Sequence, residues 1–183
     1  LRMRMDYKGF FSSLNDFVKN RTAGVAGKTD YLQAVIQRTD PKFLRLFSAQ
    51  IDTVMSNLNA SHAKDSLALG LTGLWYYTTG RNDPAARYFK QNAEEYPASL
   101  SASATFVEFL MYAQMWEDLS VEGRKAYETF GDEPAFLEMA SIGDYNLGRY
   151  DKVLEICDRI LEVAPSDSSR TLRAWYTKGD IYR

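Results

Sequence analysis

The residues in this chain that could do chemistry are few, and their spacing narrows them further. Gly24, Gly27, Lys28 and Thr29 stand where a phosphate-cradling loop would offer glycines, a lysine and a hydroxyl. That motif needs its first glycine five residues before the second, so that successive N–H groups wrap the phosphates, and the residue there is Thr22. No apolar strand pattern precedes it, so nucleotide binding is not expected. Acid pairs occur at Glu94-Glu95, Glu117-Asp118 and Asp132-Glu133. They fall beside turns or on polar helix faces, whereas glycosidase chemistry needs two carboxylates across a cleft, one with its pKa raised by burial. His62 is the sole histidine and Cys157 the sole cysteine. Histidine triads, His-rich metal sites and disulfide frameworks are therefore excluded. His62 reads as a surface residue at a helix start, and Cys157 as a small buried hydrophobe. The expectation is a protein without enzymatic activity, cofactor or metal.

Chemistry of contact remains. The 183 residues are 45% hydrophobic and include 12 Tyr and 10 Phe, which suits helices sealed by rings. Residues 1–45 hold nine Lys/Arg against four Asp/Glu, but the basic residues are scattered among Phe and Leu and read as solvated helix faces, not a nucleic-acid patch. No apolar run approaches the ~18 residues of a membrane span. The chain opens without Met and lacks an h-region, and its last helix has no partner, so a piece of a longer protein is expected.

The elements that position the contacts are helical throughout. Met3, Tyr7, Phe10, Phe11, Leu14, Phe17 and Val18 form a stripe at three- and four-residue steps. The segment 20–28 is glycine-bearing and reads as a loop, followed by a short helix over 30–38. Asp40-Pro41 predicts a capped start for one helix over 42–58 that buries Phe43, Leu46, Phe47, Ile51, Val54, Met55 and Leu58. A helix over 63–79 stops at Gly80, and Asp83-Pro84 predicts the next start.

Gly73, Tyr76, Gly80, Ala85, Phe89 and Pro97 then stand in the spacing G-x2-Y-x3-G-x4-A-x3-F-x7-P. Sixty-eight residues on, Gly148, Val153, Cys157 and Pro165 echo the second half, twice a 34-residue period. One period on, Val107, Leu110, Gln114, Leu119, Gly123 and Gly131 keep the helices but not the signature. This pattern resembles the tetratricopeptide repeat (TPR) family, well over 66–97, fairly over 134–183, weakly over 98–133 and hardly over 1–60. The run 131–183 is also similar to long exported TPR proteins of Bacteroidota-type bacteria, which would imply a cell-envelope location.

The resemblance implies an all-α fold, an α-α superhelix built as a right-handed solenoid of antiparallel helix pairs. Degenerate helices would occupy 1–60 and the array 61–183, with repeats at 63–97, 98–131 and 133–165 and a first helix alone at 168–183. It departs from the family at Ser141, Asp144 and Cys157, which stand where Gly73, Tyr76 and Phe89 do in the best copy, and Tyr145 is expected to supply the missing ring. Matching Trp175, Gly179 and Tyr182 to a further first helix makes the interval from Gly73 to Gly179 four longer than three periods. Four extra residues are accordingly placed in the Ser-rich loop 166–170.

The functional expectation is an interaction scaffold whose first helices line a concave face and bind a partner protein or peptide. The matching positions are Leu67, Gly70, Leu74, Tyr77 and Thr78, then Glu138, Met139, Ile142 and Tyr145, then Arg173, Tyr176 and Asp180. The alternative is a structural spacer within a larger enzyme or envelope machine. Trp175, Ile181 and Tyr182 are expected to lie uncovered, which suggests self-association through the last helix.

Overall fold

In the computed structural model the described residues, 6–183, form eleven helices and no strand. The first residues of the expected amino-terminal stripe, Met3 among them, lie outside the described residues. The chain divides into two units, Leu1–Tyr96 and Pro97–Arg183.

The first unit holds α1 Tyr7–Lys19, α2 Val25–Arg38, α3 Pro41–Leu46, α4 Ser48–Ser61, α5 Ser66–Thr78 and α6 Asn82–Glu95. Here α5 pairs with α6, α1 with α4, and α2 with α5. Phe11, Leu14, Val18, Leu32, Ile51, Met55, Leu58 and Trp75 share one core. The second unit holds α7 Leu100–Tyr112, α8 Trp116–Thr129, α9 Ala135–Asn146, α10 Tyr150–Val163 and α11 Ser168–Ile181, each packed on the next. Leu137, Ala140, Val153, Ile156, Cys157, Ile160 and Ala174 form a core there.

The backbone keeps the period better than the side chains do. Helices α4, α6, α8 and α10 each have 14 residues and begin at 48, 82, 116 and 150, a constant step of 34. Between first and second helices the chain turns through the left-handed region at Gly80 (φ 73°), Gln114 (φ 57°) and Gly148 (φ 71°). After each, the next N–H donates to a carbonyl five residues back: Arg81 to Tyr76, Met115 to Leu110 and Arg149 to Asp144, all 2.9 Å. This closure satisfies carbonyls at the end of the first helix. Glycine adopts such a φ without strain, so the middle copy keeps the geometry while losing the residue that announces it.

Several expectations are corrected. Segment 20–28 is not all loop, because α2 starts at Val25. Lys28 is fully buried, and its ammonium donates to the carbonyls of Val18, at 3.0 Å, and Asn20, where α1 ends. A cation is favoured at a helix carboxyl end, and that contact needs Lys28 on a formed helix. Helix 42–58 is broken at Phe47 (φ −106°, ψ 21°), which turns Leu46 outward to 75% exposure instead of burying it. Asp83 does not cap α6, which begins one residue earlier; Asp83 lies in the first turn. The Ser-rich loop holds no insertion, since α11 begins at Ser168, three periods after α5 at Ser66. Asp167 caps the amides of Ser169 and Arg170 as Asp65 caps those of Leu67 and Ala68. Trp175, not Gly179, therefore stands at the position of Gly73.

Candidate protein-binding surface

In the first unit the face of α5 is set by how its opposite side is locked. The Phe89 ring lies 2.8 Å from where a Cβ on Gly73 would stand, so a ring fills the space a side chain would need. Ala85 is fully buried beside it. Tyr76 stacks on Tyr88 with ring centroids 5.6 Å apart, and the Arg81 guanidinium sits 4.5 Å over Tyr76.

Trp75, which the sequence pattern does not single out, is fully buried and donates its indole N–H to Asp52 Oδ1 at 2.6 Å. Arg81 grips the same carboxylate with two bonds of 2.7 and 2.9 Å and donates from Nε to Thr79 Oγ1. Burial alone would raise the Asp52 pKa, but the Arg81 and Trp75 hydrogen bonds outweigh it and hold the carboxyl below its usual value. This cluster fastens α4 to the α5–α6 turn. A sequence signal for half of it exists: the Gly-Arg pair at 80–81 recurs at 148–149.

With that side locked, α5 presents Leu67 (50% exposed), Tyr77 (36%) and Thr78 on other faces. Leu74 and Thr78 line a groove of about 420 Å3 together with Ile36, Thr39, Pro41 and Leu44. The Thr78 hydroxyl donates to the Leu74 carbonyl and is thereby engaged within α5. Leu67 and Tyr77 stand outside this lining.

In the second unit α8 and α9 approach backbone to backbone. A Cβ on Gly143 would meet Trp116 O and Ser120 N at 2.8 Å, and one on Gly123 would meet Phe136 O and Ala140 N at 3.0 Å. The close crossing buries Asp144 completely. Its carboxylate accepts from Ser120 Oγ at 2.8 Å and pairs with Arg124, while Arg149 lies 3.8 Å away. Arg124 also donates to Ser120 Oγ at 2.6 Å and Ser120 O at 3.0 Å. The inward ring expected from Tyr145 is absent: Tyr145 is 45% exposed and meets Tyr150 edge-on at 5.6 Å. The buried place belongs to the carboxylate and its arginine.

Met139, Ile142 and Arg173 come together in one groove of about 330 Å3, floored by Cys157, Ile160 and Ala174. Arg173 Nη2 donates to Glu138 Oε1 at 2.7 Å, so two of the expected contact residues already engage each other at its rim. Arg170 lies 3.5 Å from the other Glu138 oxygen. Tyr176 (68% exposed) and Asp180 line a different depression with Trp175, and Tyr145 belongs to neither. Burial raises the pKa of Cys157 at the groove floor, against a small opposing influence of Lys178, so the thiol is held neutral and packs as an apolar group.

His62 is half-buried, not a surface residue, with Nε2 2.8 Å from Lys28 Nζ. Burial pushes the Lys28 ammonium below its usual value. Among the described residues no helix is long and apolar enough to cross a membrane, and no group of His, Cys, Asp or Glu is arranged to hold a metal ion. No protein-family model and no curated protein matches the chain.

Proposed function

We propose that the chain is a noncatalytic interaction scaffold of the tetratricopeptide kind, a right-handed helical solenoid whose first helices hold an extended or helical segment of a partner protein. The observation that carries this reading is the constant 34-residue step of α4, α6, α8 and α10, with a left-handed turn at Gly80, Gln114 and Gly148. A 34-residue helix–turn–helix step is the tetratricopeptide period, and such arrays use exposed groove surfaces for recognition. The two grooves on first helices, one beside Leu74 and Thr78 and one beside Met139 and Ile142, are apolar seats with polar rims of the kind that hold peptides.

A structural spacer is the second reading. It draws on Arg173 and Glu138 satisfying each other and on Tyr145 lying against Tyr150.

Panning a random peptide library on the immobilised chain separates the two. The scaffold reading expects enriched sequences whose binding falls when Leu74→Ala/Tyr77→Ala or Met139→Ala/Ile142→Ala is introduced into a chain of unchanged helicity. The spacer reading expects no enrichment.

A further inference from the structure

One buried polar side chain of the first unit is not used by the fold around it. Asn92 of α6 is 6% exposed, and its Oδ1 is buried without a hydrogen-bond partner. In the 34-residue frame the other second helices carry Leu58, Ala126 and Ile160 at this place, all buried and apolar. A carboxamide where the frame takes a hydrocarbon costs stability unless something from outside pairs with it.

The way out lies through α5. The nearest atom of the rest of the chain to where a Cβ on Gly70 would stand is Asn92 Nδ2, at 3.8 Å. Gly70 is half-buried, and the first helices α7, α9 and α11 hold Ala104, Glu138 and Leu172 at its place, so of these four only α5 leaves a gap there. Leu67 and Leu74 flank the gap at i−3 and i+4, and Gly70, Leu74 and Thr78 follow one line at i, i+4 and i+8. That line runs from the gap into the groove that Leu74 and Thr78 share with Ile36 and Pro41.

We infer that Asn92 recognises the main chain of a partner: through the gap at Gly70 its carboxamide pairs with the C=O and N–H of one residue of an extended segment, whose neighbouring apolar side chain fills the groove beside Leu74 and Thr78. This rests on the scaffold reading and names what the α5 face recognises. Nδ2 donates to the carbonyl, and Oδ1, which no hydrogen bond in the fold fixes, accepts from the N–H as the carboxamide turns about its last torsion. A helical partner uses these groups within its own turns, so the occupant is extended. One turn of α5 separates Gly70 from Leu74, ~5.4 Å, which is less than two extended residues span at ~3.3 Å each. A residue held at Gly70 therefore brings its neighbour's side chain over the groove.

Fluorescence anisotropy of a peptide enriched on the immobilised chain tests this against two variants chosen to keep the fold. Gly70→Ala adds a methyl at an ordinary contact distance from Nδ2, closes the gap and is favoured in a helix interior, while Asn92→Leu puts there the residue that α4 carries as Leu58. Each should weaken peptide binding roughly fivefold or more, with the thermal unfolding midpoint unchanged or raised. N-methylation of one main-chain amide of the peptide should weaken binding to the unchanged chain to a similar degree and add little to the loss in Asn92→Leu. Undiminished affinity in both variants, with Leu74→Ala/Tyr77→Ala still lowering it, overturns this inference and leaves the scaffold reading standing. A lowered unfolding midpoint in both variants overturns it too, since the carboxamide would then serve the fold. Failure to enrich any peptide overturns both readings.

Discussion

Arg81 and Arg149 occupy the same place in two turns 68 residues apart, each directly after a left-handed glycine, and each reaches back to a carboxylate on the preceding second helix. Arg81 meets Asp52 in a part-buried cluster with the indole of Trp75. Arg149 makes two bonds to Glu117, whose side chain is 61% exposed. The equivalent work in the second unit has moved to Arg124, which holds the buried Asp144. Position in a repeat thus selects the residue type, but burial of the carboxylate decides how much stability the pair contributes.

The largest expected effect comes from breaking that buried pair. Arg124→Ala removes the guanidinium from the buried Asp144, leaves it the Ser120 hydroxyl and the more distant Arg149, and should cost ~3–5 kcal/mol in a denaturant unfolding curve. Arg124→Lys should recover part of that, since a single ammonium cannot serve both Asp144 and Ser120 as the guanidinium does.

The two glycine crossings sharpen the same contrast. Gly143→Ala pushes a methyl into the backbone of Trp116 and Ser120, which cannot rotate away, whereas Gly73→Ala meets the Phe89 ring, which can. Both should destabilise by ~1–3 kcal/mol, with Gly143→Ala nearer the upper end. Equal losses would show that the ring is as fixed as the backbone.

Asp52 supplies a smaller, pH-dependent effect. Its carboxyl is held below the usual value when folded, so its contribution is complete above the unfolded value of ~3.9 and is lost as pH falls through the folded one. Asp52→Asn should cost ~1–2 kcal/mol at neutral pH, a figure reduced for a pair about one-third exposed, and should flatten the acid limb of the stability profile. Arg149→Ala, at an exposed pair, should leave the unfolding midpoint unchanged within error, and a clear drop would mean that its approach to Asp144 matters.

How much of this was legible follows from what each feature needs. The turns at Gly80 and Gly148 could be read because a left-handed φ selects glycine, but Gln114 adopts the same φ without any such mark. Asp144 stood out as a departure from the repeat, yet its partner Arg124 lies twenty residues earlier on another helix, and no spacing rule joins them. The break at Phe47 has no glycine or proline to announce it. Gly24 and Gly27 signalled a loop, and only the buried destination of Lys28 explains why α2 starts among them. For the surface, exposure of Leu67, Tyr77 and Ile142 followed from the helical frame. The grooves themselves, one beside Leu74 and Thr78 and one beside Met139 and Ile142, depend on α3 and α11, whose bounds and register the sequence misplaced, and Leu67 and Tyr77 stand outside the first of them.

The measurement that tests the scaffold reading most directly is site-specific photo-crosslinking to a peptide enriched from the library. A photoreactive residue at Leu74 in one sample and at Met139 in another should capture the peptide, while the same group at Glu155, exposed on the second helix α10, should not. Equal capture from all three positions, or capture from Glu155 alone, would contradict a binding face on the first helices.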